Sequence, residues 1–335
     1  EGWFVEYEGA DPGYQTLCTY YLADIHKLRG DLKLLEPLRR SIQFLWHFAH
    51  PDGSFGGLYG SRCTRFFHPA GIKALGHEIP EANVLCLFLE NSIRTHKVIP
   101  LSAIDETNLV PMFNAYAWAA CENKNTSGVN SFLVVPAKAP IPFQKWFREA
   151  GLLVDRGNDH YSVISTHKGG ATYHFNGEHL TLLNAGVVIK NKKGKLGSSQ
   201  SFCIGNFVEE RENVVRIDSQ IVAMPKDLPT PFQFLVIRCL SLTLFRSRPI
   251  REKVKQFLVK LLITRKRKWP VTLRRTIRLG EALSIDDHIS MPDGYKEFSN
   301  PGRFVPIHMA SQGYWQVLDE SSAICASTYT NAVGE

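Results

Sequence analysis

The sequence predicts an α+β multidomain protein: an α/α toroid-type helical domain over residues 1–150, then an antiparallel β-sandwich over residues 151–335. Two observations predict this class. Apolar residues recur at three- and four-residue spacing in the first part of the chain and at alternate positions in the second part. A third observation adds a detail, since an apolar and basic stretch of helical spacing interrupts the strands at about 231–268. We interpret that stretch as a helical insertion in the sandwich.

The first part of the chain contains segments with helical periodicity. These are "YQTLCTYYLADIHKL", "LEPLRRSIQFLWHFA", "EANVLCLFLENSIRTHKV" and "ETNLVPMFNAYAWAACEN". Short joints with Pro or Gly separate them, as expected for antiparallel helical hairpins. Because bulky residues occupy much of each segment, we expect the helices to pack on both sides, as in a stacked or toroidal array.

The second part of the chain alternates apolar and polar residues between Gly, Asn and Asp turns. The predicted strands lie in "HYSVISTHKGGATYHF", "HLTLLNAGVVIKNKKGKL", "SFCIGNFVEE", "NVVRIDSQIVAM", "VTLRRTIRLGEALSIDDHISM" and "YWQVLDESSAICASTYT". Many short strands joined by polar turns favour an antiparallel sandwich.

Positive charge is concentrated in one segment. The 335-residue chain has a net charge of +7, and residues 246–278 carry thirteen Lys or Arg and one acidic residue. We therefore expect any anionic partner to meet this segment, either an anionic membrane surface or an acidic polysaccharide. The alternative is a helical pair with solvated basic residues. Nucleic acid is not expected, because aromatic residues are few here and no nucleic-acid-binding module is recognisable.

Seven scattered cysteines without a C-x-x-C pair argue against a disulfide framework and against a structural zinc site, so no metal site is predicted. The chain begins at Glu1 without a methionine, a basic leader or an apolar signal segment. We interpret it as a processed or truncated product, and the sequence predicts no compartment.

The loop "HPDGSFGGLYGSRCTRFFHPAG" supplies candidate substrate-binding residues in the helical half. Its glycines indicate tight turns, and Arg62, Arg65 and His68 follow them. The alternative is a structural loop whose arginines pair with carboxylates. Asp-Gly-Ser-Phe-Gly-Gly turns also occur in the helical toroids of terpene cyclases and protein prenyltransferases. Here the phrase occurs once, without an aspartate-rich cluster or zinc ligands, which disfavours that class.

The phrase "EGADPGY", which ends at Tyr14, resembles the E-x-S-P-x-Y start of a toroid helix in heparinase II/III-like polysaccharide lyases and related alginate lyases. "HYSVISTHKGG" resembles the strand that opens their sandwich. The resemblance implies β-elimination at a uronate of an acidic polysaccharide such as a glycosaminoglycan, with Tyr14 transferring the proton and no organic cofactor. The alternative for Tyr14 is an aromatic residue packed at a helix start.

Uronate elimination requires a group that neutralises the carboxylate, a base, and an acid for the leaving oxygen. A guanidinium near a phenol favours its ionised form, so Tyr14 beside Arg62 or Arg65 could act as base, acid or both. The two arginines would also hold a carboxylate or sulfate. His68 and His167 are secondary candidates, and His174 is a weaker one.

Two parts of the family pattern are missing. No helix with the neutralising asparagine precedes Tyr14, and "STHKGGATYHFNGEHL" stands where an H-x-H-x-D motif is expected. That stretch offers His167, His174 and His179 without the aspartate. Two other classes therefore stay open: a non-catalytic carbohydrate-binding or polysaccharide-biosynthesis protein, and a membrane-surface protein that acts on lipid-linked glycans.

Overall fold

The computed structural model describes residues 1–6, 9–104, 106–122, 133–224, 231–242 and 267–297, together with positions 247, 249 and 252–254. Within these residues the helices are α1 (Pro12–Arg29), α2 (Leu35–Leu45), α3 (Pro69–Ala74), α4 (Pro80–Arg94), α5 (Glu106–Cys121) and α6 (Pro231–Leu242). The helical segments predicted from periodicity are confirmed by α1, α2, α4 and α5. None of these described helices is both long enough and apolar enough to cross a lipid bilayer.

The start of α1 positions Tyr14. Asp11 caps the helix, because its Oδ1 accepts a hydrogen bond from the Tyr14 N–H at 3.0 Å, and Pro12 occupies the first helical position. The helix ends at Gly30, which has the left-handed conformation (φ 62°) that favours glycine. Tyr14 therefore lies in the first turn of a helix that is fixed at both ends.

The strands form two antiparallel sheets. Their bounds are β1 (Phe143–Phe147), β2 (Leu152–Arg156), β3 (His160–Ser165), β4 (Ala171–Asn176), β5 (His179–Asn184), β6 (Val188–Asn191), β7 (Leu196–Ser198), β8 (Phe207–Arg211), β9 (Val214–Ala223), β10 (Lys268–Arg278), β11 (Ser284–Ser290) and β12 (Tyr295–Glu297). The first sheet has the order β1-β2-β3-β4-β5. The second has the order β11-β10-β9-β7-β6-β12, with β8 also paired to β9. The chain is therefore α+β, with an antiparallel second half.

The first strand starts before the boundary that the sequence suggested at residue 150. Phe143 pairs with Arg156 and Phe147 with Leu152, so β1 and β2 form a hairpin around Gly151, which has a φ of 65°. The five residues of β1, FQKWF, place two exposed polar side chains next to each other and so do not alternate. Because they carry no regular period-two signal, the sequence did not separate this strand from the helical half.

A single apolar cluster contains residues from the helices and from the first sheet. Phe44 of α2 meets Phe147 of β1 edge-on, with the ring centroids 4.9 Å apart. The Tyr161 hydroxyl of β3 donates a hydrogen bond to the His47 carbonyl at 2.5 Å. One face of the first sheet is thus packed against the helices.

A second cluster joins the two sheets. Leu153 and Ile164 of the first sheet contact Val215, Ile217 and Ile277 of the second, and each is buried. The predicted strand in "YWQVLDESSAICASTYT" lies outside the described residues. So does most of the predicted insertion, of which α6 is the main described part.

Candidate functional site at the junction of the two halves

Three chain segments meet where the helical half contacts the turn between β3 and β4. Ser61 donates its backbone N–H to the Ala10 carbonyl at 2.8 Å, which joins the loop after α2 to the chain before α1. The Lys168 ammonium donates to the Gly60 carbonyl at 3.1 Å, which joins the β3–β4 turn to the same loop. We call this meeting point, with residues 6, 9–14, 60–64 and 166–170, the junction.

Arg62 lies over the ring of Tyr14 at the junction. The guanidinium carbon is 5.3 Å from the ring centroid, within the range of a cation–π contact. The ring of Phe66 meets the Tyr14 ring edge-on at 5.6 Å. Tyr14 is half-buried. The two residues that the sequence proposed as proton-transfer group and substrate-binding cation are therefore neighbours.

The carboxylate of Asp11 holds this pair in place. Its Oδ1 accepts the Tyr14 N–H, and its Oδ2 accepts the N–H groups of Arg62 at 2.9 Å and Thr64 at 3.3 Å. Asp11 is fully buried, so these bonds replace its hydration. The sequence analysis did not single out Asp11, although an aspartate directly before a proline at a helix start is a recognisable N-cap signal.

Glu6 lies beside Arg62 at the junction. Its Oε1 lies 3.6 Å from Nη1 of Arg62, whose side chain is only 12% exposed. Burial raises the pKa of Glu6, the Arg62 charge opposes that rise, and the Asp11 charge adds to it. No motif marked Glu6 in the sequence, because its role depends on folding back against residue 62.

His167 lies on the strand side of the junction. It is 7% exposed, its ring meets Phe202 edge-on at 5.2 Å, and its carbonyl accepts the Cys203 N–H at 2.6 Å. Burial lowers the pKa of His167, and a backbone hydrogen bond with Ala150 acts in the opposite direction. Nδ1 is buried and has no hydrogen-bond partner among the described residues. A neutral imidazole can accept a proton at such a nitrogen when a donor reaches it.

His68 lies behind α1 instead of in the junction loop itself. Its backbone N–H donates to Thr16 Oγ1 at 2.8 Å, and its Nδ1 lies 3.4 Å from the same oxygen. Burial lowers the pKa of His68 to about 4. At neutral pH the ring is therefore uncharged and supports the contact between α1 and the start of α3.

Arg65 is half-buried and close to the first sheet. Burial lowers the pKa of His50 and the Arg65 charge adds to that shift, whereas burial raises the pKa of Tyr173 and the Arg65 charge opposes that rise, so the guanidinium lies near both rings. Its carbonyl accepts the Ile99 N–H at 3.2 Å.

His174 lies between the sheets, and its described contacts do not include junction residues. Nδ1 is 2.8 Å from the Ser162 hydroxyl, and Nε2 is 3.1 Å from the Glu281 carbonyl. Its ring is 5.7 Å from that of His160, which is bonded to Asp155 at 2.9 Å. With both nitrogens hydrogen-bonded and 3% exposure, His174 supports the strand packing here.

The Asp-Gly-Ser-Phe-Gly-Gly loop folds around a buried polar network. Asp52 accepts the Ser54 hydroxyl at 2.6 Å, Ser54 Oγ lies 2.8 Å from Nδ1 of His50, and Nε2 of His50 lies 2.7 Å from the Tyr59 hydroxyl. His50 and Tyr59 are buried. The polar residues of this loop therefore bond to one another in the interior, and the loop contributes to the site by holding Arg62 and Arg65 in position.

The basic segment is partly neutralised where it is described. On β10, Arg274 pairs with Asp218 at 3.0 Å, Arg275 pairs with Asp287 at 2.6 Å, and Arg278 pairs with Asp286. Most other basic residues of 246–278 lie outside the described residues.

No group of three or more His, Cys, Asp or Glu in the described part of the chain could hold a metal ion. The cysteines described there are free thiols. No protein-family model matches this chain, and no curated protein or solved structure matches it significantly. The resemblance to heparinase II/III-like lyases therefore remains a prediction from short motifs.

Proposed function

We propose that this chain acts on an acidic, uronate-containing polysaccharide by β-elimination, as a heparinase II/III-like lyase. In this proposal the helices belong to an α/α toroid and the two sheets form an antiparallel β-sandwich. The observation that carries it is the position of the Arg62 guanidinium over the ring of half-buried Tyr14, where both halves of the chain meet.

The proposed chemistry begins with removal of a proton from the carbon beside the uronate carboxylate. A neighbouring guanidinium stabilises a phenolate, so Tyr14 beside Arg62 can exchange a proton with the sugar. The electron pair then expels the glycosidic oxygen, which takes up a proton from the acid. His167, an uncharged imidazole whose buried Nδ1 has no hydrogen-bond partner among the described residues, is the second proton-transfer candidate.

Arg62 is the proposed anchor for the uronate carboxylate or for a sulfate. It now pairs with Glu6 at 3.6 Å, a distance that leaves a weak, exchangeable contact. A substrate carboxylate that binds the guanidinium in bidentate geometry can replace it. Arg65, with its charge near the first sheet, is the second anchor in this proposal.

The test is incubation with heparan sulfate, alginate, hyaluronan and bacterial capsule polymers, followed by the ultraviolet absorbance of the unsaturated uronate that elimination creates. Tyr14→Phe should lower the rate by about 100-fold or more, since it removes a proton-transfer group. Tyr21→Phe is the matched control, because Tyr21 lies on the same helix and is 51% exposed. If no polymer gives an unsaturated product, the proposed lyase activity is wrong.

A non-catalytic carbohydrate-binding protein is the second candidate. The Glu6–Arg62 pair favours it, because the Glu6 carboxylate offsets the positive charge that would stabilise a Tyr14 phenolate. Calorimetric titration with the same polymers distinguishes the two: binding that is equal in the wild type and Tyr14→Phe, without an ultraviolet product, supports this candidate.

An anionic membrane surface is the other proposed partner, through residues 246–278. Arg274, Arg275 and Arg278 have aspartate partners, so this proposed contact depends on the other Lys and Arg of the segment. Flotation with vesicles that contain or lack anionic lipid tests this partner, and equal flotation with both would count against it.

A further inference from the structure

A lysine and a cysteine from opposite halves of the chain meet inside the junction. Nζ of Lys168, in the turn between β3 and β4, lies 2.8 Å from Sγ of Cys63. Lys168 is 4% exposed and Cys63 is 3% exposed. The proposed function does not use either residue.

Both backbones are held where the two side chains meet. Cys63 has a positive φ of 57°, which is uncommon outside glycine, and Gly169 beside Lys168 has a φ of 61°. A Cβ on Gly169 would lie 2.6 Å from the Ser199 carbonyl oxygen. The ammonium is also fixed by the Gly60 carbonyl at 3.1 Å. The nitrogen and the sulfur are therefore pre-organised against each other.

The pair has an unusual chemistry for a buried contact. A thiol sulfur is large and a weak hydrogen-bond acceptor, so 2.8 Å is a close approach for a nitrogen. Burial raises the pKa of the Cys63 thiol, whereas the Lys168 charge acts in the opposite direction and favours the reactive thiolate.

We propose that Cys63 and Lys168 are a redox modification site, at which hydrogen peroxide joins the two side chains through a covalent sulfur–oxygen–nitrogen bridge. The thiol and the neutral amine react with two peroxide molecules and give the bridge and three water molecules. The S–H bond and one N–H bond break, S–O and N–O bonds form, and the O–O bonds of both peroxides break. Sulfur and nitrogen each lose two electrons, and each peroxide gains two.

The separation of the two atoms favours a bridging oxygen over a direct sulfur–nitrogen bond. The end atoms of a bent three-atom unit lie about as far apart as Nζ and Sγ do here. A direct bond would require the lysine and cysteine backbones to move closer inside a packed region, where such shifts are costly.

The bridge would connect residues 105 positions apart in the sequence and would tie the helical half to the first sheet. Because cross-links over long loops restrict the unfolded chain, the oxidised protein should melt about 5 °C or more above the reduced protein. Reduction by a thiol reagent should reverse the shift. The amine reacts in its neutral form, so the bridge should form faster as pH rises.

The experiment treats the whole chain with hydrogen peroxide, then alkylates free thiols in denaturant and measures the intact mass and the peptides. The bridge adds one oxygen and removes two hydrogens, a gain of about 14 Da, and joins the peptides of Cys63 and Lys168. Lys168→Met should abolish the joined peptide and leave Cys63 to be alkylated or oxidised alone.

Cys203→Ser is the matched control, because Cys203 lies against the same turn through its hydrogen bond to the His167 carbonyl. It should leave the joined peptide unchanged. The wild-type measurement alone decides the proposal if a variant fails to fold. Sulfinic or sulfonic acid at Cys63, a disulfide between Cys63 and Cys203, or an unmodified Cys63 when exposed Cys239 is oxidised would each overturn it.

Discussion

Arg275 and Asp287 form a doubly hydrogen-bonded ion pair with almost no exposed surface, at 2.7 Å and 2.6 Å. The remaining guanidinium nitrogen, Nη1, donates to the Gly170 carbonyl at 3.1 Å and to the Asn184 amide oxygen at 2.9 Å. Those acceptors belong to the ends of the first sheet, whereas the pair itself lies on β10 and β11. One buried cation thus holds the two sheets together.

We expect Arg275→Met to lower the free energy of unfolding by about 3–5 kcal/mol, because Asp287 would keep a buried charge without its partner. Arg274→Met is the matched control, since Arg274 pairs with Asp218 on the exposed face of the same strand and should cost about 1 kcal/mol or less. Urea unfolding measures both. Equal losses for the two variants would show that the buried pair has no special role.

Buried histidines should make the fold acid-labile. The folded-state pKa values of His50 and His68 are about 4, below the ordinary value of about 6.5. Between pH 4 and pH 6.5 the unfolded chain binds more protons than the folded chain. The stability that comes from keeping the two histidines neutral is therefore complete above pH 6.5 and is lost as the pH falls toward 4. Each contributes about 3 kcal/mol over that window.

His68→Asn should therefore reduce the pH dependence of unfolding between about pH 6.5 and 4 by one proton. The matched control is His77→Asn, at an exposed position after α3. Unfolding free energies across a pH series give the slope. A steeper slope in His68→Asn than in the wild type would contradict the assigned sign.

The carboxyl of Glu6 should report on Arg62. Burial raises its pKa and the Arg62 charge opposes that rise, so Arg62→Met should raise the pKa of Glu6 further. Carbon-detected NMR titration of the Glu6 carboxyl measures the change. Arg40→Met is the control, because Arg40 pairs with exposed Glu36 at 3.6 Å and its removal should leave the Glu6 pKa unchanged. A lower Glu6 pKa in Arg62→Met would mean that the guanidinium does not act on it.

Gly151 should be required for the position of His167. A Cβ there would lie 2.3 Å from the imidazole, and the φ of 65° is unfavourable for other residues. Gly151→Ala should displace the ring and lower the unfolding free energy by about 2 kcal/mol or more. Gly177→Ala, at a similar φ of 57° with no atom near the added carbon, should show only the backbone cost of about 1 kcal/mol. Equal losses of unfolding free energy in the two variants would show that the contact with His167 adds no cost at Gly151.

Local signals predicted much of the fold. The spacing of apolar residues located α1, α2, α4 and α5, and alternation located the strands of β3–β4 and β9–β11, because helices and half-exposed strands have distinct periods. Strand β1 was missed because its residues, FQKWF, do not alternate between apolar and polar. The order of strands in the second sheet depends on long-range pairing, such as β12 with β6, which no local pattern encodes.

The candidate site was only partly predictable. Tyr14 and Arg62 stood out by motif and residue type, and the structure places them in contact. Glu6 and Lys168 were not anticipated, because their importance comes from contacts across 56 and 105 positions, respectively, that form only on folding. His174 shows the opposite case, since a histidine that looked available in the sequence is enclosed by hydrogen bonds between the sheets.

The hairpin of β1 and β2 also determines where the chain could be split into two separately expressed fragments. A break after Ala150 would separate all five paired positions, from Phe143↔Arg156 to Phe147↔Leu152, and leave β1 as a tail on the helical fragment. A break ahead of Phe143 would keep the first sheet whole. With a break ahead of Phe143, one fragment would contain Phe44 and the other Phe147, whose rings are in contact in the intact chain. The two co-expressed fragments should therefore associate, as in a complementation assay.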